Sequence, residues 1–329
     1  MANTTSPRVA SPAPAGAGVR RVYRKRKFSH RFRQDWPLLA MTLPAVVQLS
    51  LFFYYPSLYN VIAFMDYSPF RSVWDNPIVG FTWFQMLFAD DQFWLALGNT
   101  LKFATAQLLF VFPLSITLAL LMHGMVSSRL RYTFQSIVYL PYFFSWVLVV
   151  VIFTQVLGPN GLFSQWALSL GADRLDITRS ADSFLFLAWM QWTWKDAGWG
   201  MIIFLAALAS INPNLYEAAA VDGASRARRL WHITLPGIRP VIVLLVILQL
   251  GQILSVGFEQ YLVQRTQVGW SSTEVLDTFV YFKTFGPGAL SESYGTAAGL
   301  FKGVIGLILI LVANNVAHRL GEQGIYRKS

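Results

Sequence analysis

The sequence contains no cysteine. That excludes a disulfide framework, a thiol nucleophile, a cysteine-held zinc and an iron–sulfur cluster, while leaving the compartment open. Charge is scarce as well. Asp, Glu, Lys and Arg make up 13% of the 329 residues, about half the roughly 25% usual in soluble domains. No Gly-x-x-x-x-Gly-Lys-Ser/Thr stretch occurs, so the chain has no phosphate-cradling P-loop of its own. His-Glu-x-x-His is missing too, and His30, His123, His232 and His318 stand far apart, so no metal site is expected. Asp90-Asp91 is the only adjacent acidic pair; it reads as a solvated loop rather than the metal-binding pair of a membrane glycosyltransferase. No long apolar run occupies the first 30 residues, so no cleaved signal peptide is expected. No internal repeat is visible.

What is present is apolar surface. Apolar residues reach 55% and aromatics 16%, the balance of an all-α membrane protein that crosses the bilayer several times. Six segments are long enough to cross a core of about 30 Å: residues 38–65, 96–122, 134–157, 183–209, 240–260 and 293–320. The first holds Pro44 and Pro56 and is expected to tilt, kink or end early. Residues 1–35 are expected to form a disordered tail. Its end, Arg20 to Arg33, is strongly basic; a basic arm can bind nucleic acid, but here it reads as a cytoplasmic anchor on anionic lipid, with no nucleic-acid partner expected.

Charge also orients the chain. With the N-terminus inside, the inner segments carry 18 of the 26 Lys and Arg and the outer loops 5. That asymmetry puts both termini in the cytoplasm. It also makes residues 212–240 cytoplasmic, between the fourth and fifth spans. There Asn212 and Pro213 suit a helix start, Gly223 suits a sharp turn, Ser225 suits a second cap, and Pro236 is expected to stop the second helix.

Glu217-Ala218-Ala219, Asp222-Gly223-Ala224, Ile233, Leu235-Pro236 and Pro240 resemble the EAA loop of ABC importer permeases. The segments 194–238, 139–149, 254–263 and 294–314 are similar to the branch that imports oligosaccharides and polysaccharides, alginate among them. The resemblance implies a type I importer permease fold with six transmembrane helices in the bacterial inner membrane. It implies that Glu217, Ala218, Ala219, Asp222 and Gly223 form a coupling helix and turn seated in an ATPase subunit. ATP and magnesium would then be bound by a partner ATPase dimer, and this chain would hold no cofactor and be no enzyme. A second permease chain, expected to differ in sequence, and a periplasmic or lipoprotein solute-binding protein would complete the importer.

Polar residues inside spans are costly and mark candidate pathways. Trp192, Asp196 and Trp199 share a face at i, i+4, i+7, with Lys195 beside it. Indoles suit sugar faces and a buried Lys suits a carboxylate, but a structural ion pair between Lys195 and Asp196 explains the same pattern. Gln249, Gln252, Ser255 and Glu259 are expected on one stripe of the fifth span, and Lys302 lies inside the sixth. Lys102, Lys195 and Lys302 outnumber Asp196 and Glu259 by one, which favours an acidic saccharide such as an alginate oligomer. A stand-alone secondary carrier or membrane enzyme is the alternative; it would need its own coupling-ion site, and none is evident.

Overall fold

The computed structural model describes residues 28–174, 176–287, 290–322 and 324–325. The expected basic tail therefore lies mostly outside the described residues; helix α1 (Phe28–Leu49) begins inside it. Among the described residues the structure is helical, apart from one isolated bridge between Met65 and Ile78. The chain divides into two compact units at Tyr59–Asn60.

Among the described residues, five helical runs are long and apolar enough to cross a membrane: Trp36–Phe64, Asp91–His123 (α3), Trp146–Ser169, Arg226–Gly251 (α9) and Glu292–Arg319 (α12). A short helix, α2 (Thr82–Ala89), precedes α3. The sixth span is α7 (Phe184–Ala209), which passes the same measure only together with α8 (Pro213–Val221), bent from it by 68°. Gln191, Lys195 and Asp196 lower the apolarity of α7.

Two span boundaries depart from expectation. The third segment does not run unbroken from Phe134. Helix α4 (Ser128–Tyr139) passes into a 3₁₀ turn (Leu140–Phe143) containing Pro141, and α5 (Trp146–Leu157) starts afresh behind the Ser145 cap; α6 (Leu162–Ser169) follows. The fifth span ends at Gly251, not Gln260. Residues 252–258 are non-helical, and α10 (Glu259–Val268) and α11 (Leu276–Phe285) fill the region read from sequence as an outer loop.

Pro236 does not stop its helix as expected. Pro56, Pro113 and Pro236 each sit at the second residue after a five-residue π-turn: Ser50–Tyr54, Gln107–Val111 and Leu230–Thr234. Proline lacks an N–H, and its ring collides with the carbonyl four residues back. Widening the turn by one residue moves that carbonyl aside, so the helix continues. Pro236 thus lies within α9 instead of ending the helix that begins at Arg226.

The core lies where α3, α7 and α10 meet, around Phe103, Phe184, Trp192 and Tyr261. Close approach is set by Gly198 on α7. A Cβ there would run into the backbone carbonyl of Val138 on α4. Gly198→Ala is therefore expected to lower complex stability by about 1–3 kcal/mol, read as a fall in the thermal midpoint of the purified complex. An unchanged midpoint would show that α4 and α7 do not pack this closely.

Candidate functional site

The 212–240 module folds from its own local signals. Asn212 accepts from the amide of Asn214 at 3.0 Å, and Pro213 opens α8. Gly223 takes φ +71°, a left-handed value that suits glycine. Ser225 accepts from the amide of Arg228 at 3.3 Å and starts α9. Tyr216 hydroxyl and Thr234 hydroxyl, 3.0 Å apart, tie α8 to the π-turn of α9. Glu217, Ala218, Asp222 and Gly223 are exposed and Ala219 is half-buried. Leu215 and Val221 are exposed apolar residues on the same short helix. Beside it a shallow hollow of about 240 Å³ is lined by Ala219, Asp222, Arg228, Arg229 and His232 among others.

A cavity of about 520 Å³ falls within the usual range of small-molecule sites, roughly 300–1,000 Å³. It lies among α3, α7, α9 and the turn after α4. Its polar lining is Gln107, Ser115, Asp196, Gln249, Gln252 and Ser255. Its aromatic wall is Tyr142 stacked on Trp199, ring centroids 4.3 Å apart and planes within 6°. Flat aromatic faces, amides and hydroxyls suit a sugar ring, which offers C–H faces and equatorial hydroxyls.

Five sequence candidates therefore line one cavity: Asp196, Trp199, Gln249, Gln252 and Ser255. They do not form the helical stripe expected for Gln249, Gln252, Ser255 and Glu259. Gln249 is on α9, Gln252 caps it, Ser255 lies in the non-helical segment, and Glu259 starts α10 outside the cavity. Three other candidates lie elsewhere. Trp192 is fully buried in the aromatic core. Lys195 donates to the carbonyls of Tyr142 at 2.8 Å and Phe144 at 2.6 Å, with its ammonium about 5.4 Å from the Tyr142 ring and 5.5 Å from the Trp146 ring. It caps the carbonyls left at the break between α4 and α5. Lys302 is paired with Asp277 of α11. Two of the three positive charges counted from sequence thus have partners that the count omitted, one of them from the supposed loop. Among the described residues, the charged group lining the cavity is Asp196. Sequence reading missed Gln107, Ser115 and Tyr142. An amide inside the apolar run of α3 was a usable signal for Gln107; nothing local marked the other two.

The segments read as outer loops are fixed by ions. Arg265 pairs with the fully buried Glu274 and lies 4.0 Å from the Phe282 ring centroid. Asp90 accepts from Lys283 at 2.8 Å, Tyr294 at 2.9 Å and the amide of Gln92 at 2.9 Å. Burial pushes its carboxyl up, but these hydrogen bonds outweigh it and hold the group below the ordinary carboxylate value. Stability from this hub is present above the unfolded pKa and falls as pH drops through the lowered one.

Residues 111–322 match the family described as binding-protein-dependent transport system inner membrane component. The chain is 40% identical over 295 residues to protein LplB of Bacillus subtilis (strain 168), covering 89% of this chain and 92% of the relative. It is 38% identical over 317 residues to the polygalacturonan/rhamnogalacturonan transport system permease protein YteP of the same strain, covering 96% and 98%. A crystal structure of a bacterial alginate ABC transporter in complex with alginate pentasaccharide-bound periplasmic protein superposes with a TM-score of 0.81 at 34% identity, covering 91% of this chain and 100% of that one. With its membrane-spanning helices and its own sequence lacking a P-loop, the chain belongs to the binding-protein-dependent transport system inner membrane components: it is a multi-pass inner-membrane permease of the sugar ABC importers, without an ATPase site of its own.

Proposed function

We propose that this permease carries an acidic oligosaccharide or polysaccharide inward by alternating access, driven by ATP hydrolysis in a partner ATPase dimer. The observation that supports the pathway is the 520 Å³ cavity with its stacked Tyr142–Trp199 wall and amide rim. Acidity is supported by what two similar proteins handle, alginate in one and polygalacturonan in the other. Among the described residues, this chain's own cavity carries Asp196 and no cation. The charge that receives a uronate then comes from the second permease chain, a different polypeptide facing this one. A solute-binding protein delivers the sugar to the outer face.

Glu217, Ala218, Ala219, Asp222 and Gly223 form the coupling surface for the ATPase, with both chain termini in the cytoplasm. Support for it is a short, exposed, capped helix joined to α9, the helix that carries Gln249. An impermeant label is expected to reach residues 213–235 only from the cytoplasmic side and 265–287 only from outside; the reverse pattern overturns both orientation and coupling.

The test of substrate is uptake by the reconstituted complex of acidic and neutral oligosaccharides of equal length. Trp199→Ala is expected to lower uptake of both severalfold, up to about tenfold, since an aromatic stacking contact is worth about 0.5–1.5 kcal/mol, at unchanged complex abundance. Preference for the neutral series overturns the acidic reading. Normal uptake by Trp199→Ala overturns the cavity as the pathway.

A further inference from the structure

Among the described residues, eight buried side-chain polar atoms have no hydrogen-bond partner. Seven of them lie on two helices: four on α7 between Trp189 and Thr193, and three on α10 at Gln260, Tyr261 and Gln264. Gln191, Gln260 and Gln264 are at most 1% exposed. Gln260 Nε2 donates to Gln191 Oε1 at 2.7 Å, leaving Gln191 Nε2 and Gln260 Oε1 unpaired. Flipping both amides changes nothing, because one hydrogen bond between two amides always leaves a donor and an acceptor over. Each buried group left unpaired is destabilising. An apolar seam would have packed here at no such cost.

The face of α10 that meets the core is Gln260, Tyr261, Gln264 and Val268, so most of it is polar. The two ends of α10 differ. Its far end is held by the Arg265–Glu274 pair. Its near end follows Gly257, at φ +107° with nothing within 4 Å of where a Cβ would sit. α10 also packs against α5, so an opening at Gly257 is a swing about that contact and the Arg265–Glu274 anchor. Beside the seam, Tyr261 packs with Phe103 and Trp192 (ring centroids 4.9–6.2 Å apart), and none of the three lines the cavity. Gln191 lies eight residues before Trp199 on α7, about 12 Å toward the end that the proposed topology puts outside.

We infer that the seam between α7 and α10 is a second saccharide-binding station, shut in this conformation, whose Gln191, Gln260, Gln264 and Tyr261 meet sugar hydroxyls when α10 swings out. Its ligand is a hydroxyl-rich pyranose unit, read through neutral amides and a phenol and therefore without regard to the sugar's charge. The inference rests on the inward sugar pathway proposed above and adds to it a stop nearer the outer face.

The absence of native cysteine gives a clean test. Gln264→Cys, Gln191→Cys and, as a cavity control, Trp199→Cys are placed one at a time in the full complex in proteoliposomes. A membrane-impermeant methanethiosulfonate is added from the outer side (from both sides for Trp199→Cys), and labelling of this subunit is read by mass. Without nucleotide, the Gln264→Cys and Gln191→Cys complexes are expected to stay unlabelled. With ATP, vanadate and the binding protein, their labelling is expected to rise at least tenfold, and a uronate pentasaccharide and a neutral one are expected to slow it equally. Equal labelling in both states, or a rise that neither sugar slows, overturns the station. Sugar protection at Trp199→Cys but not at Gln264→Cys overturns the station alone; protection at neither overturns the pathway as well. Gln260→Leu is expected to keep or raise the complex's thermal midpoint while lowering uptake at sub-saturating sugar at least fivefold. A lower midpoint with normal uptake would make the seam merely structural and overturn the inference.

Discussion

Lys195→Met is expected to remove most of the assembled complex from the membrane, and to reduce uptake of acidic and neutral sugars alike. Lys195 is 8% exposed, and its ammonium donates to the carbonyls of Tyr142 and Phe144. Those carbonyls stand at the break between α4 and α5, where no following turn of helix supplies N–H donors. Methionine keeps the length of the side chain and loses the donors, leaving two buried acceptors at about 1–3 kcal/mol each. The Tyr142 ring, against which the ammonium also lies, forms half of the aromatic wall of the cavity, so the loss spreads to the sugar site. Lys195→Arg is expected to restore part of the abundance, because the guanidinium still donates. The measurement is complex yield by quantitative blot beside uptake of both sugar classes. Normal yield with selective loss of the acidic sugar would return Lys195 to direct recognition of a carboxylate, the reading its sequence position first invites.

Glu217→Lys is expected to leave yield unchanged and cut uptake at least tenfold while ATP hydrolysis by the complex continues. Glu217 is exposed on the short helix α8. Reversing its charge therefore acts on whatever docks against α8 rather than on this chain's packing. Uptake and hydrolysis measured on the same proteoliposomes give a coupling ratio, and a ratio equal to that of the unaltered complex would remove Glu217 from the coupling surface. Gly223→Val is a different lesion. At φ +71° a β-branched residue is strained, so yield itself is expected to fall.

The parts of the molecule governed by local chemistry were legible in the sequence. Asn212, Pro213, Gly223 and Ser225 each act within three residues of themselves, and each is found where its capping or turn preference put it. The spans were legible because lipid imposes a length and an apolar composition. Contacts across the chain were not. Lys302 looked unpaired because its partner, Asp277, is 25 residues away in a segment that hydropathy assigns to a loop. Lys195 was read as a receptor for a carboxylate or as the ion-pair partner of Asp196, because its acceptors are backbone carbonyls, which carry no letter in a sequence. Glu259 was joined to Gln249 by helical periodicity, and periodicity cannot register that α9 stops at Gly251. Three of that expected stripe nevertheless line the cavity, since a non-helical chain brought Ser255 back beside Gln249.

A π-turn is an α-helix with one residue too many, and that surplus is a stored rotation. Relative to unbroken α geometry, the turn at Leu230–Thr234 rotates everything beyond it by about 100° and shifts it by about 1.5 Å, and Pro236 holds that offset in place. This turn stands between the short basic start of α9 at Arg226–Arg229 and the stretch that carries Leu245, Leu248 and Gln249 to the cavity. The extra residue thus sets which side of α9 is turned to the cavity, the span being a screw cut with a fixed offset rather than a plain rod. Deleting one residue from Leu230–Thr234 is expected to press Pro236 against its carbonyl and turn Leu245, Leu248 and Gln249 away from the cavity, read as a changed distance between spin labels on Leu248 and Trp199.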